Sequence, residues 1–241
     1  MTSAGPEISP TNIIFLHGVN NTAADWAAVR DHLSPGESAA LELPPVADVD
    51  EIADAIEPSL GRGAVLIGHS FGGYVALAVL AKFPHRVRGL VLVNSHDGAD
   101  GPEARARREA SVSKARAGEY FALAQAATAA SYTAEHLDDA EMMAQRKRAL
   151  ENYGAEKFMA HQMAAAARPD RRDVLANAEI PVLVVAAADD RVIPTERQRE
   201  MAQAVAADFV VIEGAGHMLP AEQPAPLAAA INEWLTGSGI Q

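Results

Sequence analysis

The chain contains no cysteine. That excludes disulfide scaffolds, cysteine nucleophiles, thiolate metal sites and iron–sulfur clusters in one step. Aromatic residues are scarce, at 5%, so a specific pocket has to be built largely from aliphatic and small side chains. No stretch reaches the ~18 to 20 continuous apolar residues of a membrane span. Met1 to Pro10 is polar and has no basic segment leading into an apolar run, which is not the pattern of a signal peptide. A cytoplasmic location is the resulting expectation. Basic residues are the minority charge, 20 Lys and Arg against 32 Asp and Glu, for a net charge of -12. A field of that sign repels phosphate backbones and anionic membrane surfaces, so neither nucleic acid nor membrane is expected as a partner.

What is present is an ordinary globular composition. The 241 residues are 49% apolar and 22% charged, enough for a sizeable core in one large domain. Alanine alone makes up about a fifth of the chain. Six short apolar runs read as strands: Asn12 to His17, Ser38 to Leu43, Ala64 to Gly68, Val87 to Val93, Pro181 to Ala186 and Asp208 to Ile212. Several are apolar at nearly every position, as strands covered on both faces are. Between them lie helical patterns at Asp25 to Leu33, Val49 to Leu60 with Asp48 as N-cap, Tyr74 to Phe83, Pro194 to Ala206 and Pro224 to Leu235. Thr236 to Gln241 reads as a loose tail. The alternation predicts right-handed βαβ crossovers and an α/β domain in three layers.

One segment interrupts the alternation. From Asp100 to Asn177 no strand pattern is present, and Ala, Arg, Glu, Gln and Met dominate. These are good helix formers, and three or four helices would fill the segment. The division is therefore a core of residues 11–99 and 178–236 with a helical insertion at 100–177 after the fourth strand. An insertion at the carboxyl end of a strand is placed to act as a lid over a ligand crevice. The basic stretch Arg105 to Arg116 is interspersed with glutamates and reads as a solvated helix face.

The chemistry concentrates at Gly68-His69-Ser70-Phe71-Gly72-Gly73, between a strand pattern and a helix pattern. That is the context of a nucleophile elbow, in which the serine occupies a strained turn and its neighbours two positions away must be small. A serine hydroxyl needs a base, and the base needs an orienting group. His217 in Gly214-Ala-Gly-His-Met218 follows the last strand and is the base candidate. Asp189 and Asp190 follow the fifth strand and are the orienting candidates, with Asp190 favoured. A developing oxyanion needs two N–H donors. The backbone of Phe71 supplies one, and Val19 in His17-Gly18-Val19-Asn20 supplies the other. His17 fits better as a brace of that loop than as an acid or base. Candidate substrate contacts are Asn20, His96, Tyr120 and Phe121, with Asn21, Tyr132 and Met159 behind them. The arginines of the insertion are candidates to hold a substrate carboxylate, although a solvated face suits most of them.

Together, His17-Gly18, Trp26, the elbow at Ser70, Pro84 ahead of Val87 to Asn94, Asp190 with Pro194, and Gly214 to His217 resemble the α/β-hydrolase fold superfamily. The resemblance implies a six-stranded parallel sheet in the order 2-1-3-4-5-6, without the antiparallel hairpin that opens many members. This compact form resembles the plant methylesterase and hydroxynitrile lyase branch. The resemblance to the superfamily implies a serine hydrolase with no cofactor, and the histidine spacing gives no metal site. Acyl transfer through Ser70, Asp190 and His217 would act on a small-molecule carboxylic ester. The alternatives are a lactone or carbon–carbon bond hydrolase using the same residues, or a small-molecule receptor with slow turnover. A monomer or homodimer is expected. Haloalkane dehalogenases and epoxide hydrolases carry an aspartate where this chain has Ser70. The hydroxynitrile lyases carry a lysine where it has Glu213. The short segment Pro44 to Asp48 lacks a loop common in the family, which predicts a lower wall at one side of the entrance. The eight histidines show no metal-ligand spacing.

Overall fold

The computed structural model describes residues 12–34 and 36–240. The polar Met1 to Pro10, the first residue of the expected core and the terminal Gln241 lie outside the described residues. Six strands form one sheet: β1 Asn12–Leu16, β2 Ser38–Leu41, β3 Ala64–His69, β4 Val87–Val93, β5 Val182–Ala187 and β6 Asp208–Ile212. Every pairing is parallel, and the order is β2-β1-β3-β4-β5-β6. The chain steps from β1 outward to β2 and then returns to the other side of β1 with β3. The crevice between β1 and β3 is therefore the topological switch point, where α/β sheets bind ligands.

The near-continuous apolar strands follow from burial on both faces. Ile14, Leu16, Leu66, Leu90, Leu92 and Val184 face one layer of helices. Ile13, Phe15, Val65, Ile67, Val91, Val93 and Val185 alternate with them and face the other. The first layer includes α2 Val49–Ile56, α3 Phe71–Lys82, α8 Arg172–Ala176 and α9 Thr195–Ala204. The second includes α1 Ala27–Asp31, α10 Leu219–Glu222 and α11 Pro224–Gly237. Asp48 caps α2, its carboxylate accepting from the N–H groups of Asp50 and Glu51. The expected loose tail is shorter than the sequence implies. Thr236 and Gly237 continue α11, and the Ser238 N–H bonds to the Trp234 carbonyl at 2.9 Å.

Between β4 and β5 every regular element among the described residues is a helix, including α4 Pro102–Lys114, α5 Tyr120–Ser131, α6 Ala134–Leu137, α7 Ala140–Ala167 and α8. That exceeds the expected three or four, because α6 and α8 are each little more than a turn. The long α7 starts at Asp139, whose carboxylate accepts from the N–H groups of Glu141 and Met142. It is broken at Gly154, where φ is 74°. Ala164 and Ala165 near its end pack into the layer built on α3. Tyr120, Leu150, Tyr153 and Phe158 form a small core of the insertion's own. Among the described residues no helix is long and apolar enough to cross a membrane.

Candidate active site

Ser70 caps α3 with φ 51° and ψ -113°, a conformation rare for a residue with a side chain. The turn is held from two sides. Ser70 N–H bonds to the Val93 carbonyl at 2.9 Å, and the Ser70 carbonyl accepts from Ser95 Oγ at 2.8 Å. The glycines of the motif are sterically required. A Cβ on Gly72 would lie 2.1 Å from the Leu16 carbonyl oxygen, and one on Gly68 would lie 2.5 Å from the Gly72 carbonyl oxygen.

His217 Nε2 lies 2.9 Å from Ser70 Oγ, and His217 Nδ1 lies 2.9 Å from Asp190 Oδ2. The structure thus joins the three expected side chains in one line. Asp190 is buried, and its Oδ1 accepts from the N–H groups of Val192 and Ile193 at 2.8 and 2.9 Å. Gln198 Nε2 approaches Oδ2 at 3.4 Å. With both carboxylate oxygens engaged, His217 Nδ1 is the donor, and Nε2 presents its lone pair to the serine. Asp189 is exposed and takes part only through its backbone.

A cavity of about 340 Å³ opens over Ser70. Val19, Asn20, Phe71 and His96 line it from the core, and Leu123, Ala127, Arg146 and Phe158 line it from the inserted helices. Phe71 is the first residue of α3, where backbone N–H groups lack intrahelical acceptors. His17 braces its loop as expected. Its Nδ1 bonds to the Gly18 carbonyl at 2.9 Å, and its Nε2 accepts the Leu43 N–H at 3.1 Å. The expected low wall at Pro44 is covered by α7, because His161 Nε2 donates to the Pro44 carbonyl at 2.8 Å and its ring stacks on Phe71.

Two of the four expected contacts miss the cavity. Phe121 is 53% exposed and does not line it. Tyr120 is buried behind it, with its hydroxyl within bonding distance of Asn20 Oδ1 and the Leu150 carbonyl. Tyr132 is buried outside the lining, and Met159 packs in the insertion's own core. His96 does line the cavity, but its ring is engaged by Tyr74, Arg168 and the Gly98 N–H. Burial first, then the charges of Arg197 and Arg168, lower its pKa to about 3, so it stays neutral.

Three residues important to this geometry are not singled out by the sequence, and a fourth is one of several equivalent arginines. His69 Nε2 lies 2.8 Å from the His217 carbonyl, and Asn21 Nδ2 approaches its Nδ1 at 3.4 Å. Burial, and then electrostatic repulsion from the neighbouring His217, lower the His69 pKa to about 3. Asn94 holds the same carbonyl from a second direction. Asp100 lines the cavity between two arginines. The fourth, Arg146, is one of the insertion's candidate arginines and is an exception to the solvated face expected of most of them. It is buried against Asn20, Asn21 and Thr128, with its guanidinium in the cavity wall. Arg107 and Arg108 also line the cavity, whereas Arg105, Arg116 and Arg148 are exposed away from it.

Residues 13–230 match the model of the alpha/beta hydrolase family. The chain belongs to that family. The 2-hydroxy-6-oxo-2,4-heptadienoate hydrolase of Pseudomonas putida is 31% identical over 201 residues, covering 79% of this chain and 68% of its own. A 2-succinyl-6-hydroxy-2,4-cyclohexadiene-1-carboxylate synthase of Salmonella arizonae is 26% identical, covering 92% and 93%. Among solved structures, a thermophilic esterase from Thermogutta terrifontis, in a malate-bound form, superposes with a TM-score of 0.84 at 26% identity, covering 95% of this chain and 90% of that one. The family match and the superposition agree with the fold read from the sequence, whose six-stranded parallel sheet this chain forms.

Proposed function

We propose that this hydrolase-family chain cleaves a carboxylic ester of a small or medium substrate through an acyl-enzyme on Ser70. The observation that carries the reading is the 2.9 Å, 2.9 Å line from Ser70 Oγ through His217 to Asp190. In the first half-reaction Ser70 Oγ attacks the carbonyl carbon and its proton passes to His217 Nε2. Asp190 holds Nδ1–H and stabilises the imidazolium. The negative charge that develops on the carbonyl oxygen meets the N–H groups of Val19 and Phe71. Collapse expels the alcohol, which takes the proton from Nε2. A water then attacks the acyl carbon with His217 as base, which frees the acid and restores Ser70. The inserted helices, which wall the cavity above Ser70, act as a lid that limits access of water and bulky esters.

A graded series of p-nitrophenyl esters tests this reading. Ser70→Ala is expected to lower kcat by roughly 10³-fold or more. Mass spectrometry of the quenched parent should show an acyl adduct on the peptide that contains Ser70. Near-normal turnover by Ser70→Ala would overturn the assignment.

One observation favours a second reading for the bond cleaved. Arg146 is buried in the cavity wall, and its contacts are to neutral oxygens. A buried guanidinium without a carboxylate partner is expensive unless a ligand supplies the anion. Two relatives carry names ending in heptadienoate hydrolase and carboxylate synthase, and both names specify a carboxylate. The same residues would then act on a carboxylate-bearing substrate at a lactone or carbon–carbon bond. Turnover of a vinylogous diketo acid at a rate above that of every ester in the series would decide for this reading.

A further inference from the structure

Asn94 follows β4 directly, is fully buried and has φ 44°. Asparagine is among the few residues with a side chain that tolerate this region. Its amide makes three backbone hydrogen bonds at once. Oδ1 accepts the Ala187 N–H at the end of β5 at 2.8 Å. Nδ2 donates to the Gly216 carbonyl at 3.1 Å and to the His217 carbonyl at 3.0 Å, both in the loop after β6. Ala187 is three residues ahead of Asp190. One amide therefore sets the loop that carries the acid against the loop that carries the base, from a strand adjacent to neither the first nor the last.

We propose that Asn94 is a positioning residue that fixes the alignment of His217 with Asp190. The inference rests on the reading of His217 as the base. Asn94 bonds to no side-chain atom of Ser70, Asp190 or His217, so its effect runs through the backbone of both loops. The chemistry explains the residue type. Two carbonyl oxygens face Nδ2 and an N–H faces Oδ1, which only a primary amide in this orientation satisfies. An aspartate would present a second oxygen to both carbonyls. A glutamine is one methylene too long for a site with no exposed surface. His69 supports the same His217 carbonyl at 2.8 Å, but it bonds to nothing on β5, so it cannot replace the tie between the two loops.

The experiment uses the full chain with two variants and Ser70→Ala in one ester assay. Asn94→Gly removes the amide but accepts the positive φ without strain. Asn94→Asp keeps the shape and the bond to Ala187 and reverses the contact to the His217 loop. Each is expected to lower kcat by about 10- to 100-fold, the scale of a misplaced catalytic group, with KM within about twofold of the parent. In Asn94→Gly the acid limb of kcat/KM should also move to lower pH, because a loosened bond to Asp190 stabilises the imidazolium less. A folded Asn94→Gly with the parent's kcat and acid limb would overturn the proposal. So would a loss of kcat with an unmoved limb, or failure of both variants to fold at low temperature, since each would mark a purely structural tie. Those outcomes alongside an inactive Ser70→Ala would leave the serine hydrolase reading intact. An active Ser70→Ala would instead remove the reading on which the inference rests.

Discussion

Arg168 Nη1 lies 2.7 Å from Asp100 Oδ1, with both side chains almost fully buried. Arg108 Nε on α4 holds the other oxygen, Oδ2, at 2.6 Å. Arg168 directly follows α7, and its guanidinium stacks 3.9 Å over the Tyr74 ring of α3. A single carboxylate thus joins both ends of the inserted helices to the core. Burial works to raise the Asp100 carboxyl, and the contacts with Arg108 and Arg168 overcome it and hold it below its usual range. Asp100→Asn would leave a buried guanidinium without its anion. The expected loss is about 3 kcal/mol, measured by urea unfolding, with faster amide exchange in α4 and late α7 than in the sheet. Arg108→Ala should cost about 1 kcal/mol, since that guanidinium is partly solvated. Equal losses for the two variants would contradict an anchor centred on Arg168.

At the elbow, two effects of opposite sign compete at Gly72. Alanine is favoured over glycine inside a helix by about 1 kcal/mol. Here the added Cβ would lie 2.1 Å from the Leu16 carbonyl oxygen and 2.9 Å from that of His17. These are backbone atoms of β1 and its loop and cannot rotate away. Overpacking wins, and Gly72→Ala is expected to destabilise by about 2 to 3 kcal/mol. Gly101→Ala is the control, because no heavy atom lies within 4 Å of its added Cβ. Its effect on the unfolding free energy should be smaller, a loss of about 0.5 to 1 kcal/mol, because Gly101 is the N-cap of α4 and alanine caps less well. A stabilised Gly72→Ala would mean that the elbow is less tight than the geometry requires.

The legible parts of the site are those tied to backbone constraints. Ser70 is flagged by glycines that the close approach of β3 and α3 demands. Asp190 and His217 are flagged by their places after β5 and β6. The inserted helices carry no such marker. Tyr120 and Phe121 are adjacent, and which one faces inward depends on helical phase. That phase is shifted by the π-helical turn Ala115–Glu119, where Gly118 has φ 92°. Arg146 and Arg148 likewise differ by two positions in an equally polar stretch, yet one is buried and the other exposed. Asn94 is one polar residue after an apolar strand, and its value depends on two loops distant in sequence.

Three buried histidines make the fold sensitive to acid. Burial lowers His69 and His96 to about 3 and His161 to about 4. In the unfolded chain each would take a proton near pH ~6.5. Between those values the unfolded state binds protons that the folded state refuses, so stability falls as pH drops. The contribution is complete above pH ~6.5 and is lost at up to ~1.4 kcal/mol per pH unit for each histidine. Denaturant unfolding between pH 7 and pH 4.5 should show this slope. His161→Gln, which can still donate to the Pro44 carbonyl, should reduce it. A stability independent of pH over that range would show that these rings are protonated in the folded state.

The charge of the cavity is opposite to that of the chain. The protein carries -12, yet among the described residues the cavity is lined by Arg107, Arg108, Arg146 and Arg197 against Asp100 alone. Asp100 is already engaged by Arg108 and Arg168. An anionic substrate is therefore repelled at long range and attracted inside. The two effects separate by ionic strength, because salt screens exposed charges and leaves buried ones nearly unchanged. A monosuccinate ester is expected to be preferred over the neutral ester of equal length, and the preference should persist in 0.5 M salt, a concentration at which the Debye length is below ~8 Å. Arg146→Gln should lose that preference by about 10- to 100-fold, through KM, equivalent to ~1.4 to ~2.7 kcal/mol. Arg146→Lys should keep part of it, since it retains the charge without the planar fork that bonds to Asn20 and Asn21. The neutral ester serves as the internal control. Its kcat/KM should change far less, and an equal loss for both esters would assign Arg146 to holding the oxyanion loop instead of the substrate.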